Sequence, residues 1–250
     1  MGALSNNEVK FLKSLQLKKF RDQYGLFTVE GDKMVEEALA SGFDVVDIYR
    51  REDIGEDMMK KISSLSSPSP VLATVRKPID AKLQTTFGMS LYDKGLYLGL
   101  DSIRDPGNLG TILRIADWFG IDAVFATSDT VDVFNPKTVQ ATMGAIFRVK
   151  YHSCLLPSVA EDFLSRGGKV YGTFLDGLNI YSRELCTGGE SPVMIVIGNE
   201  SEGIGDAMER IVSDKLFIPP FPESRRGSES LNAAVATAVT IAEFRRRTNI

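Results

Sequence analysis

Apolar positions along this chain switch between helical and strand-like spacing often enough to mark out its elements. Near the start, Ser5 and Glu8 have the spacing of a capping box, and Val9, Leu12 and Leu15 continue as one helical stripe. Residues 27–29 read as a strand and Glu30-Gly31 as a turn. A helix is predicted over 32–41, with Met34, Val35, Ala38 and Leu39 as its apolar face and Gly42 as its stop. A strand over 45–49, a helix over 58–65, a Ser/Pro-rich loop and a strand over 71–75 complete a small alternating α/β module, taken as 1–86. Polar residues with Gly88 and Gly95 follow as a linker, 87–95.

From residue 96 to 250 the alternation strengthens. Strands are predicted at 96–100, 123–126, 147–151, 170–173, 193–197 and 215–218, with helices at 109–119, 136–143, 158–165, 205–212 and 230–247. Such alternation predicts a mostly parallel sheet with helices on both faces, so the fold class is α/β throughout. Val193 to Ile197 are apolar at every position, as a central strand covered on both sides requires.

Composition narrows the function classes. With 43% hydrophobic and 25% charged residues in 250, the chain is built like an ordinary globular protein, and no apolar run can span a bilayer. The polar first residues lack the core of a signal peptide, and Cys154 and Cys186 have no Cys-x-x-Cys spacing. A reducing cytoplasm is therefore expected, with no thiolate zinc cage and no membrane partner. The single histidine, His152, sits in a strand-like, aromatic-flanked setting that favours a structural role over a hydrolase triad or a metal site. At a net charge of −4, any nucleic-acid contact must come from local patches. One candidate is the acid-free run containing Lys10, Lys18, Lys19 and Arg21. A solvated helix face is the plain alternative.

Parallel sheets bind ligands beyond the carboxyl ends of their strands, which directs attention to three stretches. After the 96–100 strand, a Pro106-Gly107 turn leads into a helix whose stripe is Leu109, Ile112, Leu113, Ala116 and Phe119. Arg114 shares the opposite side with Thr111 and Trp118. Either a partner subunit or a loop of the same chain covers that face. After the 193–197 strand come Gly198, Asn199, Glu200, Gly203 and Gly205, glycines that let backbone approach a ligand. Neither Gly-x-Gly-x-x-Gly nor a phosphate-loop pattern is present. After the last strand, Pro219 and Pro220 stop the ladder. Beyond 222–229, Ser230 and Asn232 are placed to cap a long helix rich in Ala, Val and Thr, whose end carries Arg245, Arg246 and Arg247.

Together these stretches closely resemble the three motifs of the SpoU (TrmH-like) RNA ribose 2′-O-methyltransferases of the SPOUT superfamily. The first match is Asn108-x-Gly110 with Arg114, Ala116 and Phe119-Gly120. The second is Ile197-Gly198-Asn199-Glu200 with Gly203, and the third is Ile218-Pro219 with Ser230-Leu231-Asn232. The resemblance covers 96–250. Ser5-Asn6, Lys10, Lys18-Lys19, Arg21 and Phe27-x-Val29-Glu30-Gly31 resemble the RNA substrate-binding domain of many members. It implies S-adenosylmethionine as methyl donor, a deep trefoil knot, a homodimer and ribosomal RNA as substrate. A transfer RNA substrate and a non-catalytic RNA-binding or ribosome-assembly factor are the alternatives, with an ordinary small-molecule enzyme further off.

The resemblance also implies site roles. Arg114, Asn108, Glu200, Ser230 and Asn232 form the catalytic cluster, and Gly198, Asn199, Gly203, Ile218, Pro219 and Leu231 hold the donor. No metal is required, because the donor brings an activated methyl group. Since a guanidinium stays protonated in proteins, Arg114 is expected to grip a phosphate and orient the 2′-hydroxyl rather than act as a base. The loop before Ser230 is longer than the family pattern and carries Arg225 and Arg226, which either reach RNA or belong to a solvated insertion.

Overall fold

The computed structural model describes residues 4–78, 93–222 and 230–248. Arg225, Arg226 and most of the expected linker lie outside the described residues. No helix among the described residues is long and apolar enough to cross a membrane. The chain divides into two compact units, Met1–Lys82 with Asp132–Arg148, and Leu83–Val131 with Val149–Ile250.

The first unit opens with the expected capping box. The Glu8 N–H donates to Ser5 Oγ at 3.2 Å, and the Ser5 N–H donates to the Glu8 carboxylate at 2.7 Å. That fixes the start of α1 (Asn6–Ser14). Then come α2 (Lys18–Tyr24), β1 (Leu26–Glu30), α3 (Asp32–Ala40), β2 (Val45–Arg50), α4 (Arg51–Ile54), α5 (Glu56–Ile62) and β3 (Val71–Arg76). The periodicity showed neither α2, which is mostly charged and polar, nor α4, which is a single turn. The three strands are ordered β1-β3-β2, and both pairings are antiparallel. On one face Leu72 packs with Leu12, Met59 and Ile62. Phe27 pairs opposite Val75 and therefore shares its face, where its ring lies 4.8 Å from that of Phe134.

Phe134 reaches this core because the segment around α7 (Pro136–Thr142) belongs to the first unit. Asn135 caps α7 by accepting the Lys137 N–H at 2.9 Å. Phe147, expected in a strand over 147–151, instead closes a 3-10 turn (Ala145–Phe147), its ring 5.1 Å from that of Phe43. The strand of that region, β6 (Tyr151–Ser153), starts later. A distant aromatic partner thus outweighs the local preference of the sequence.

In the second unit β4 (Gly95–Leu100), β5 (Val124–Ala126), β6, β7 (Lys169–Asn179), β8 (Pro192–Ile197) and β9 (Asp214–Phe217) form one sheet in the order β6-β5-β4-β8-β7-β9. Every pairing is parallel. All of β8 is buried, as its unbroken apolar run requires. Its helices are α6 (Pro106–Trp118), α8 (Leu156–Ser165), α9 (Asp206–Glu209) and α10 (Ala233–Arg247), and α10 packs on α6 and β8. The helix expected over 205–212 is one turn long, its end closed by N–H bonds from Ile211 and Val212 to the Met208 carbonyl. His152 on β6 stacks on Phe125 with ring centres 5.5 Å apart.

Candidate functional site

The sheet order reverses between β4 and β8, and in an open parallel sheet that is where a crevice opens beyond the carboxyl ends. The chain leaves β4 through Asp101, whose buried carboxylate accepts the Gly205 N–H at 2.8 Å and so ties the two exits together. Ser102 follows with φ 60, a left-handed conformation uncommon for a residue with a Cβ. Its N–H donates to Thr127 Oγ1 at 2.9 Å and its carbonyl accepts Asn199 Nδ2 at 2.8 Å. Its hydroxyl bonds the Asp129 carboxylate at 2.5 Å, and this bond with that from Thr127 holds Asp129 below the usual carboxylate range.

Asp105 then caps α6, accepting the Asn108 N–H at 2.8 Å, with Pro106 in the first turn. This cap presents the Asn108 side chain to two other loops. Asn108 Nδ2 donates to the Glu200 carboxylate, and Asn108 Oδ1 accepts Asn232 Nδ2 at 2.9 Å. Asn232 in turn caps α10, its Oδ1 accepting N–H groups of Ala234 and Val235 at 3.0 and 3.3 Å. One line of side chains therefore joins α6, the loop after β8 and the start of α10.

Glu200 owes its place to the turn around it. Asn199 Oδ1 accepts the N–H groups of Ser201 and Glu202 at 2.8 and 3.2 Å, and Asn199 and Gly203 exchange backbone bonds of 2.9 Å. A Cβ on Gly198 would run into the Gly203 backbone, and Gly203 itself has φ +73, so both glycines are needed for the loop to close.

Beside this line lies a cavity of about 450 Å3, within the roughly 300–1,000 Å3 of small-molecule sites. Gly198, Asn199, Glu200, Gly203, Ile218, Ser230 and Leu231, all expected at the site, line it. Thr173, Phe174, Leu175, Glu202 and Glu209 line it too, and the motifs did not single these out. For the first three, the available signal was their position at and just past the end of the strand predicted over 170–173. Asn108, Arg114, Pro219 and Asn232 are outside the lining. Arg114 is exposed on α6, one turn before Trp118, which is 86% exposed.

The lining suits a donor that is apolar at one end and cationic at the other. Ile218, Leu231, Ala233 and Ala236 supply apolar wall, while Glu200, Glu202 and Glu209 supply carboxylates. Of the two thiols, Cys154 is pushed up to about 11 by burial and stays protonated at neutral pH.

In the first unit, Lys10, Lys18 and Lys19 are exposed, with Lys18 bridged to Asp22 at 3.1 Å. Arg21 corrects the expectation of an RNA-facing run. It is 1% exposed, and its guanidinium bonds Asp132 at 2.6 and 3.0 Å and the Leu15 carbonyl at 2.8 Å. A buried cation needs such partners, and Asp132 supplies the charge.

The model of the SpoU rRNA Methylase family matches residues 95–242, and that of the MRM3-like substrate binding domain matches residues 6–57. The chain is 32% identical over 255 residues to the 23S rRNA (guanosine(2553)-2′-O)-methyltransferase RlmP of Bacillus subtilis, with 96% of each covered. It is 34% identical over 304 residues to the mitochondrial rRNA methyltransferase 3 of Xenopus laevis, covering 92% of this chain and 71% of that one. The AdoMet-bound rRNA methyltransferase from Sinorhizobium meliloti has the same fold at a TM-score of 0.84 and 26% identity, with 100% of this chain and 99% of that chain covered.

Proposed function

This chain belongs to the SpoU rRNA methylase family, and from that premise we propose how its residues carry out the family's reaction. The protein is an S-adenosylmethionine-dependent methyltransferase that acts on ribose 2′-hydroxyls of ribosomal RNA. The observation that carries the assignment of roles is the line Asn232–Asn108–Glu200, which meets the cavity at Glu200.

When bound, the donor supplies an activated methyl group. The protein's task is then alignment, and holding two reactants in register accounts for roughly 7–11 kcal/mol of a barrier. Gly198, Asn199, Gly203, Ile218 and Leu231 hold the donor, with Pro219 fixing the chain just behind Ile218. The Glu200 carboxylate, Asn108, Ser230 and Asn232 form a polar edge that receives the ribose. Arg114, permanently protonated, grips the adjacent phosphate and turns the 2′-hydroxyl towards the donor.

The substrate within ribosomal RNA is a large-subunit site, as the name of the Bacillus subtilis relative suggests. Lys10, Lys18 and Lys19 contribute contacts to the RNA backbone in the cytoplasm, and Arg225 and Arg226 are further RNA-binding residues. The working form is a homodimer. A face that carries Trp118 at 86% exposure beside Arg114 is what a second copy would cover, and this sets Arg114 at the seam between copies. The C-terminal part of the chain forms a trefoil knot; what supports this reading is that α10 returns from β9, at the sheet's edge, to α6 and β8 in its middle.

Incubation of the protein with labelled S-adenosylmethionine and 23S rRNA, followed by mapping of 2′-O-methyl groups, tests the assignment. Label confined to one ribose supports it. Label on a base, or on transfer RNA alone, overturns it.

A further inference from the structure

One side of the cavity is held by a residue that does not line it. Beyond Thr173, β7 leaves its regular pairing with β9 and resumes it only at Leu178. Phe174 and Leu175, in the intervening bulge, face the cavity, and Glu209 at the end of α9 faces it from another direction. Lys215, on β9, connects the two. Its Nζ donates to Glu209 Oε1 at 2.6 Å and to Asp176 Oδ2 at 3.1 Å, and it lies 4.6 Å from the centre of the Phe174 ring. Those two hydrogen bonds hold the Lys215 ammonium above its ordinary range. The bulge is seated directly on the strand, since a Cβ on Gly177 would collide with the Leu216 backbone.

We propose that Lys215 is a positioning residue for the methyl donor, fixing Phe174 and Glu209 so that this wall of the cavity is formed before the donor arrives. The inference rests on the reading of the cavity as the S-adenosylmethionine site. Its physical basis is preorganisation: a wall already ordered does not have to be ordered at the expense of binding. Phe174 packs against the core while Leu175, Asp176 and Leu178 are exposed, so the ammonium adds to the restraint of the bulge through one cation–π contact and two charge-assisted bonds. Because Lys215 touches neither the cavity nor Asn108, its loss acts on donor affinity rather than on the chemical step.

The test compares the full-length wild type with Lys215→Met, Lys215→Arg, Asp176→Asn and the Lys215→Met/Asp176→Asn double variant. Calorimetry with S-adenosylmethionine gives Kd, steady-state methylation of 23S rRNA gives kcat and donor KM, and melting curves report folding. Lys215→Met is expected to raise donor Kd and KM about tenfold, with kcat at saturating donor within about twofold and little change in Tm. Lys215→Arg returns Kd towards wild type, and adding Asp176→Asn to Lys215→Met brings no further loss, since the pair acts as one unit. Unchanged donor affinity in Lys215→Met overturns the inference. So does a loss of kcat and affinity together that follows a fallen Tm and is not restored by arginine. Failure of the wild type itself to bind S-adenosylmethionine overturns the reading of the cavity, and the wild-type titration alone tells that case apart.

Discussion

Asn108 is placed so that both ends of one amide are spoken for. Its oxygen is taken by Asn232 and its nitrogen by Glu200, which leaves the Glu200 carboxylate a fixed acceptor at the cavity edge. Glu200→Gln keeps the shape but removes the charge. A hydrogen bond to a charged group contributes about 1.5–3 kcal/mol, so kcat for methylation of 23S rRNA at saturating donor is expected to fall roughly ten- to a hundredfold. Arg114→Ala is expected to nearly abolish methyl transfer and leave donor binding almost intact; equal loss of both would refute its assignment to the RNA side. Asn108, Glu200 and Asn232 were legible because each follows a strand end that the apolar pattern marks. Arg21 was misread because its partner, Asp132, stands 111 positions away, beyond any local pattern. Lys10, Lys18 and Lys19 remain exposed, and replacing all three with Glu should lower the slope of log Kd for RNA against log salt by about 2–3. An unchanged slope returns them to a solvated helix face.

At the level of elements, α10 shows what a simple sequence can hide. Its Asn232 cap and its Ala- and Thr-rich packing face were readable, and its terminal arginines suggested favourable placement at the helix's negative pole. They do more specific work. Arg245 donates to the Phe119 carbonyl at 2.8 Å and to that of Gly120, closing the open end of α6. Arg246 and Arg247 hold Glu243 at 2.8 and 2.6 Å, and Arg247 also bonds the carbonyls of Ile180 and Tyr181 at 2.9 Å. The Arg246 and Arg247 guanidinium groups push the Glu243 carboxyl down to about 2, from an ordinary 4.5. Because this pKa is depressed in the folded state, the stability it contributes is full above about pH 4.5 and is lost as pH falls towards 2. Melting curves of Glu243→Gln should therefore lie below wild type at neutral pH and converge with it over that interval. The strands β4 and β8 and the helix α6 were legible from the pattern of apolar positions alone. The delayed start of β6 and the bulge in β7 were not, since each is set by partners distant in sequence.

At the scale of the molecule, the first unit is assembled from two separate stretches of chain. Asp132 neutralises Arg21, Phe134 packs on Phe27 and Phe147 on Phe43, so the 1–82 stretch is completed by 132–148. A fragment ending at Lys82 leaves a buried guanidinium without its carboxylate, a defect of about 3–5 kcal/mol in comparable sites. Circular dichroism should find that fragment largely unfolded, with a peptide of residues 132–148 restoring structure; a fragment that melts cooperatively by itself would contradict this. Nothing in the apolar pattern announces the arrangement, because α7 has the length and spacing of any helix between two strands. The arrangement also governs how the protein can be recombined. A chimera that takes its first eighty-odd residues from a relative would set a foreign Arg21 pocket against a native Asp132. Moving RNA preference from one family member to another therefore calls for two grafts made together, with the second cut from the middle of the catalytic sequence.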